Sequence, residues 1–570
     1  MLAQPKLKPR PFSSETATQL TQQGLHPLLA RLFAARGITE SKEAQFRWAN
    51  MHSPARLHQV EHAAELLVDA IEEQQRILIV ADYDCDGATA CAVGLRALNE
   101  MGADVDFLVP DRFKTGYGLS PEVVELALQH PNGKPDLIVT VDNGIASVSG
   151  VEAANAAEIK VIVTDHHLPA DQLPAAAAIV NPNQPECGFP SKNLAGVGVI
   201  FYQMLALRAA LRKRGAFAAD SQPRLERLAD LVALGTVADV VPLDANNRIL
   251  VAQGLHQIRS GAMSPGIAAL FQVAGRDPQR AHSFDLGFAV GPRINAAGRL
   301  ADMSLGIQCL CTDDQDEALA LAHELDTINQ ERRSIEQNMH EQALQALKQQ
   351  TDLNPTATVC VYEPDWHQGV VGLVAGRLKE KYWRPTIAFA QADDHELKGS
   401  ARSIPDVHMR DTLDLISKRH PDLIQKFGGH AMAAGLSIHP AQFENFKSAF
   451  EEAVIAFTGR TEFDPIIETD HSLEIEYCTL ETAQLLQKFV WGTGFAAPVF
   501  QDQFAVLNQR VLKDKHLKLM LEREGQTFEA IWFNQAEPVG AQVELAYRLD
   551  ENHWNGRSRL QLIVEYGETL

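Results

Sequence analysis

The 570-residue sequence has no apolar run long enough to cross a bilayer, which argues against a membrane-spanning helix and a membrane partner. Its opening stretch, MLAQPKLKPRPF, lacks the apolar core of a secretory signal. CxxC pairs are also missing. The seven cysteines are scattered, and Cys309 and Cys311 have no matching partners, which argues against a disulfide framework or a zinc site and fits a reducing cytoplasm. No internal repeat or low-complexity tract occurs. Positive charge is in deficit: 51 basic residues against 73 acidic ones leave a net charge of −22. Such a surface does not coat nucleic acid indiscriminately, so any such binding must come from a local basic groove, a few placed arginines and lysines, and metal ions. Hydrophobic residues at 45% and charged residues at 22% are ordinary for a globular chain. The length calls for about three or four domains.

Residues 1–69 read as a helical preface, with HPLLARLFAARG and EHAAELLVDAIEEQQ at helical period. Short apolar runs then alternate with helical patterns: RILIVA, VDFLVP, DLIVTV and KVIVT. That alternation predicts an α/β domain over 70–311, built on a parallel sheet covered on both faces. Segment 312–354 contains neither Gly nor Pro, and Leu321, Leu325, Ile328, Ile335 and Met339 recur at helical spacings. One helix of ~35 residues, roughly 50 Å long, would serve as a strut between domains. A smaller α/β domain is expected over 355–460, and alternating segments over 461–570 predict a β-barrel of the oligonucleotide-binding (OB) type, with WNGR as an Asn-Gly hairpin turn.

Three of the apolar runs end in carboxylates. IVADYDCDG carries Asp82, Asp84 and Asp86; LIVTVDNGI carries Asp142; VIVTDHH carries Asp165, His166 and His167. The carboxyl ends of strands in an open parallel sheet share one edge, where ligands bind. Left unneutralised there, like charges raise one another's pKa or unfold the edge. Hard divalent cations remove the conflict, and oxygen donors with one or two imidazoles suit manganese or magnesium better than zinc. Asp239, in LVALGTVADVVPL, is a plausible further donor where a helical pattern breaks. More donors than one ion needs point to two ions sharing a carboxylate, about 3.5–4 Å apart, a clamp for phosphoryl transfer. One aspartate after a strand is ordinarily a turn or helix cap, and a His-His pair is ordinarily surface. The same chemistry at three strand ends outweighs that plainer account.

In this order, DYDCDG, VDNG, DHH and GTVADVVPL resemble the four motifs of the DHH phosphoesterase superfamily. GPRINAAGRL (291–300) and GGHAMAAG (428–435) are similar to strings of its RecJ branch, bacterial single-strand-specific 5′→3′ exonucleases. The match covers about residues 70 to 570. It implies a DHH catalytic domain, a DHHA1 substrate-binding domain and an OB-like nucleic-acid-binding domain. It also implies that Asp82, Asp84, Asp86, Asp142, His166 and Asp239 hold two Mn2+ or Mg2+ ions, with Asp142 as the bridge. Small-substrate members open their first motif with a histidine; this sequence has an apolar residue there, and Asp82 is implied to substitute. His167 would stand beside the scissile phosphate as an electrophile or as proton donor to the leaving oxygen, and Asp165 would orient an imidazole.

Gly428, Gly429 and His430 are implied at a phosphate, with a packed tight turn as the plainer alternative. Ser400 and Arg402 of KGSARS and Arg112 of PDRFKTGYGL would hold the 5′ phosphate, and Arg293, Asn295 and Arg299 would line the same cleft. For Trp366 and His367, and for Phe528, Trp532 and Phe533 of the barrel, a place facing the substrate and a place in the core both stand open. WGTGFAAPVF is similar to a linker motif of the family without its usual Asn-Pro. The implied activity is 5′→3′ hydrolysis of single-stranded DNA to 5′ mononucleotides, in repair and recombination, by a cytoplasmic monomer. A single-strand-binding protein and a helicase are implied partners, because such a nuclease needs unwound DNA. Two other readings stand beside it. A small-substrate phosphoesterase is disfavoured by the strut, the barrel and the absent histidine. A non-catalytic strand-binding scaffold is disfavoured because no expected ligand is missing.

Overall fold

The structure, a computed structural model, describes residues 5–111, 115–218, 221–349, 356–554 and 556–570. The N-terminal segment is not purely helical. Strand β1 (Lys6–Pro9) precedes the helices Ser14–Gln22, Pro27–Ala34 and Val60–Glu72, and pairs in parallel with a segment far along the chain. KLKP is too short and too charged to declare itself as a strand, and its partner is distant in sequence.

Five parallel strands follow: β2 (Arg76–Ala81), β3 (Asp104–Leu108), β4 (Leu137–Val141), β5 (Lys160–Thr164) and β6 (Ala178–Val180), in the order β3-β2-β4-β5-β6. β4 is buried along its whole length and β2 beyond Arg76, as expected of strands with helices on both faces. The strand order reverses between β2 and β4, so a crevice opens at their carboxyl ends. Ala81 lies opposite Val141, and Val141 opposite Thr164. The next residue of each strand is therefore delivered at one level: Asp82, Asp142 and Asp165.

The Gly- and Pro-free segment forms one helix, Gln315–Gln349. Its Ala318, Ala322 and Leu325 belong to the core of the first domain, while Met339 and Ala343 belong to a core of the second. It is a strut with an end in each. The second lobe is a mixed sheet of β7 (Val359–Glu363), β8 (Thr386–Asp393), β9 (Glu396–Arg402), β10 (Lys426–Gly429) and β11 (Ala433–Ile438), in the order β10-β11-β9-β8-β7, with only β7 and β8 parallel.

After β12 (Ile466–Thr469), the partner of β1, comes a short helix, Leu480–Gln487, before the barrel begins. The barrel strands are β13 (Phe500–Leu512), β14 (His516–Arg523), β15 (Gln526–Trp532), β16 (Gln542–Trp554) and β17 (Arg557–Thr569), closed in the order β13-β14-β15-β17-β16. Phe500, Phe504, Phe528 and Tyr547 fill its interior. Trp554 pairs with Arg557 at the WNGR hairpin, and Gly556 has φ +72°; Asn555 lies outside the described residues.

The preface and the 466–500 segment are joined by a buried charge network. Asp470 accepts two hydrogen bonds from Arg10 Nη1 (3.0 and 3.2 Å), two from Arg36 (2.8 and 2.9 Å) and one from Val499 N (3.1 Å). Beside it Phe33 packs against Phe489, Trp491 and Phe495. Removing one member of a buried ion pair leaves the other charge stranded, at about 3–5 kcal/mol. Asp470→Ala is accordingly expected to lower the denaturation midpoint followed by Trp491 fluorescence; an unchanged midpoint would count against the network.

Candidate metal centre

Each acid at the crevice has a local reason for its position. The chain leaves β2 and turns into the helix Cys85–Glu100, for which Asp84 is the N-cap: its Oδ1 accepts from Gly87 N at 3.0 Å. The capping account of this residue is thus correct, but it engages only that oxygen. Asp86, 1% exposed, accepts from Gly196 N (2.6 Å) and Val197 N (2.9 Å), the first amides of the helix Gly196–Lys213. Two helix N-termini therefore face the cluster, a placement that favours negative charge. Asp82 accepts from Tyr83 N at 2.7 Å.

Asp142 sits in the left-handed region, φ +62°. Its neighbour Asn143 donates to Val80 O (3.1 Å) and Val141 O (2.9 Å), stitching together the two strands at the switch point. A Cβ at residue 196 would lie 2.6 Å from Asp142 Oδ1, so only glycine lets that helix start so near. Asp165 receives Ile145 N (2.9 Å), its own loop amides and the His167 ring, whose Nδ1 is 2.7 Å from Asp165 Oδ1. Burial opposes ionisation of Asp165, but the His167 bond and charge prevail and hold it below the ordinary carboxylate value. His167, in turn, is raised to about 9 against the effect of burial, chiefly by Asp165. Asp239 ends the helix Ala229–Ala238.

The donors converge. His166 Nε2 is 3.0 Å from Asp142 Oδ1, 3.5 Å from Asp239 Oδ2 and 4.0 Å from Asp86 Oδ2. Among the described residues, three groups bring their ligand atoms within 4.8 Å of one another: Asp142, His166 and His167; Asp86, His166 and Asp239; Asp82, Asp84 and Asp142. Asp142 belongs to two of them, as a bridging carboxylate would. Asp142 Oδ1 and His166 Nε2 are buried and have no hydrogen-bond partner. Burial and neighbouring carboxylates push Asp142 and Asp239 well up, and burial with Asp84 raises Asp86 to about 7. Burial, reinforced by the charge on His167, lowers His166 to about 4, so its ring is neutral and able to ligate. A crowded, oxygen-rich set with orphaned atoms and a neutral imidazole fits Mn2+ or Mg2+.

The other expected residues divide. Arg112 lies outside the described residues. Arg293 and Asn295 each have a partner within the protein. Arg293 Nη2 pairs with Asp326 of the strut at 2.8 Å, and Asn295 Oδ1 accepts from Cys85 N at 2.8 Å, holding the DYDCDG loop. Arg299 reaches the second lobe, donating to Gly369 O at 3.0 Å. There, Arg402 donates to Ser400 Oγ (3.2 Å) and Ala401 O (2.8 Å). Burial pushes the Arg402 pKa down, and among the described residues no carboxylate salt-bridges it. Both side chains lie against Gly372 at the start of the helix Val371–Tyr382. Gly428 pairs with Gly435, which pairs with Ser400, and a Cβ on Gly428 would meet nothing within 4 Å. Gly429 instead abuts Ala434, and His430 is an exposed turn residue whose N–H donates to Ala433 O at 2.8 Å. Trp366 is core, its Nε1 donating to Gln342 at 2.8 Å, while His367 Nδ1 accepts from Gly369 N at 3.1 Å. In the barrel Phe528 is buried, Trp532 is half-buried and Phe533 is exposed.

Two features had no expected role. Tyr117 donates to Asp142 O at 3.1 Å and rests its half-exposed ring against His167. The WGTGF turn grips the chain beyond Asp239: Leu243 N donates to Thr493 O at 2.7 Å, Gly494 (φ +70°) packs on Pro242, and the Arg248 guanidinium lies 4.1 Å from the centre of the Phe495 ring.

A pH dependence follows from the raised acids. The proton on Asp86 stabilises the metal-free fold below the ordinary value of 3.8, and that contribution is lost as the pH rises through about 7. A cation takes the proton's place. Mn2+ is therefore expected to raise the thermal midpoint more at pH 8 than at pH 5.5, and less in Asp142→Asn. Scanning calorimetry tests this, and an equal gain at both pH values would remove the site.

The family models agree with this architecture. Residues 76–236 match the DHH family, N-terminal domain, residues 354–456 the DHHA1 domain, and residues 469–566 the RecJ OB domain. The chain is 47% identical to the single-stranded-DNA-specific exonuclease RecJ of Haemophilus influenzae, over 96% of each chain. It is 49% identical to that of Escherichia coli, over 95% of this chain and 96% of the other. Among solved structures, RecJ from Thermus thermophilus in complex with Mn2+ superposes with a TM-score of 0.83 at 28% identity, covering 100% of this chain and 80% of the other. The Mg2+ complex of RecJ from that organism gives 0.77 at 27% identity, covering 100% and 78%. On the extent of these likenesses, the chain belongs to the RecJ family of DHH-domain exonucleases.

Proposed function

We propose that the chain is a divalent-metal-dependent exonuclease that removes 5′ mononucleotides from single-stranded DNA. The observation that carries this is the buried pair Asp142 Oδ1 and His166 Nε2, 3.0 Å apart and neither engaged in a hydrogen bond, ringed by four further aspartates at the switch point of the sheet. Asp82, Asp84, Asp86, Asp142, His166 and Asp239 would hold two cations, with Asp142 shared. What the cations supply when bound is charge neutralisation at the phosphate and acidity for water.

The remaining work falls to the protein. Asp165 fixes His167 through Nδ1 and leaves Nε2 as the nitrogen to protonate the departing 3′ oxygen. Ser400, Arg402, Gly428 and the N-terminus of the helix Val371–Tyr382 would seat the terminal 5′ phosphate: a buried guanidinium without a carboxylate is an anion site in waiting. Gly429 keeps β10 close to β11 there, His430 would donate to the phosphate, and Arg299 would fix the lobe spacing. Arg112 is a further candidate at that phosphate. The barrel would guide the strand, with Phe533 available for stacking. The chain would act as a cytoplasmic monomer, with a helicase and a single-strand-binding protein supplying unwound DNA.

With Mn2+ or Mg2+, an end-labelled single strand should release its 5′-terminal mononucleotide first, and a blunt duplex should resist; release from the 3′ end would overturn the polarity. Asp142→Ala and His166→Ala are expected to abolish hydrolysis with an unchanged circular-dichroism spectrum, and turnover in either would refute the centre. Arg402→Ala should erase the preference for phosphorylated over hydroxyl 5′ ends, read as the ratio of kcat/KM values.

A further inference from the structure

Phe284 and Phe288 are 49% and 67% exposed, yet their rings stack on each other, with centroids 4.6 Å apart and planes 23° apart. They are not core residues that failed to pack. Around them Leu286, Ala289 and Val290 are buried, in a turn widened to a π-helix over Leu286–Val290. Such bulges are frequent at functional sites.

The position of the pair connects two parts of the molecule. On one side Arg280 pairs with Glu551 of barrel strand β16 at 2.6 Å, and Ser283 Oγ donates to Trp491 O at 2.5 Å. On the other, a Cβ at Gly287 would lie 3.2 Å from Val237, two residues before Asp239, and one at Gly291 would lie 3.2 Å from Ala238. Val240, directly after Asp239, is itself 63% exposed. The segment 280–291 thus spans from the barrel to the helix that delivers an acid to the metal centre, with two exposed aromatic faces along the way. Arg276 stands alongside, about half-exposed, with Nε 3.6 Å from Asp285 Oδ1.

We propose that Phe284 and Phe288 form a stacking platform for the bases of the single strand as it passes from the barrel to the metal centre. The proposal rests on the exonuclease reading and adds a subsite to it. Aromatic faces receive any base, because every base has a π-face, and an adjacent arginine suits the backbone. A duplex hides its base faces and gains nothing there, so the platform also favours single strands.

Both rings are exposed, so Phe284→Ala and Phe288→Ala should keep the fold. On a 5′-phosphorylated strand of about 20 nucleotides, each is expected to raise KM roughly 5- to 150-fold, the range for losing one stacked base, with kcat unchanged. Phe288→Trp should restore KM. A single abasic site, moved along the substrate, should weaken wild-type binding at one internal position and have no further effect there in Phe288→Ala. Unchanged KM in both alanine variants overturns the platform and leaves the nuclease reading intact. Failure of the wild-type chain to hydrolyse any strand removes the underlying reading and the platform with it.

Discussion

Mutual repulsion among buried carboxylates is the constraint on which the molecule turns. Asp82, Asp86 and Asp142 are all buried, and Asp84 and Asp239 stand beside them. Two helix N-termini and a set of backbone amides soften the conflict without removing it, since Asp86, Asp142 and Asp239 still hold their protons too tightly. Cations complete such a site. The rest of the first domain reads as the means of bringing acids together at one level: the parallel register, the reversal of strand order between β2 and β4, and Gly196 at the point of closest approach.

The second lobe answers with the opposite electrostatics. Its Arg402 is a largely buried cation that, among the described residues, no carboxylate salt-bridges. The strut, with Arg293 clamped to Asp326 near one end and Met339 and Ala343 set in the other lobe's core, fixes how far apart the two stand. A net charge of −22 is compatible with a polyanionic substrate on these terms, because attraction is confined to where it is needed.

The acids were legible in the sequence because an apolar run ending in aspartate is ordinary once but not three times over. The strut was legible because a long stretch without Gly or Pro admits few other structures. Strand β1 was not, since its pairing partner is remote and a four-residue charged segment has no period to read. The bracing contacts of Arg293 and Asn295 were not legible either: a polar residue beside glycines can face a ligand or brace a loop, and the bracing partners are remote in sequence. Phe284 and Phe288 were not legible because two aromatics four residues apart look like one face of a buried helix, whereas both rings are exposed.

The hook formed by residues 491–495 ties the chain beyond Asp239 to the sequence that leads into the barrel. The strap beyond Asp239 is therefore held by residues some two hundred and fifty positions further along the chain, so lobe and barrel neck are packed as one at this joint. A fragment cut after the second lobe would lack the Thr493 and Gly494 contacts that hold the strap beyond Asp239.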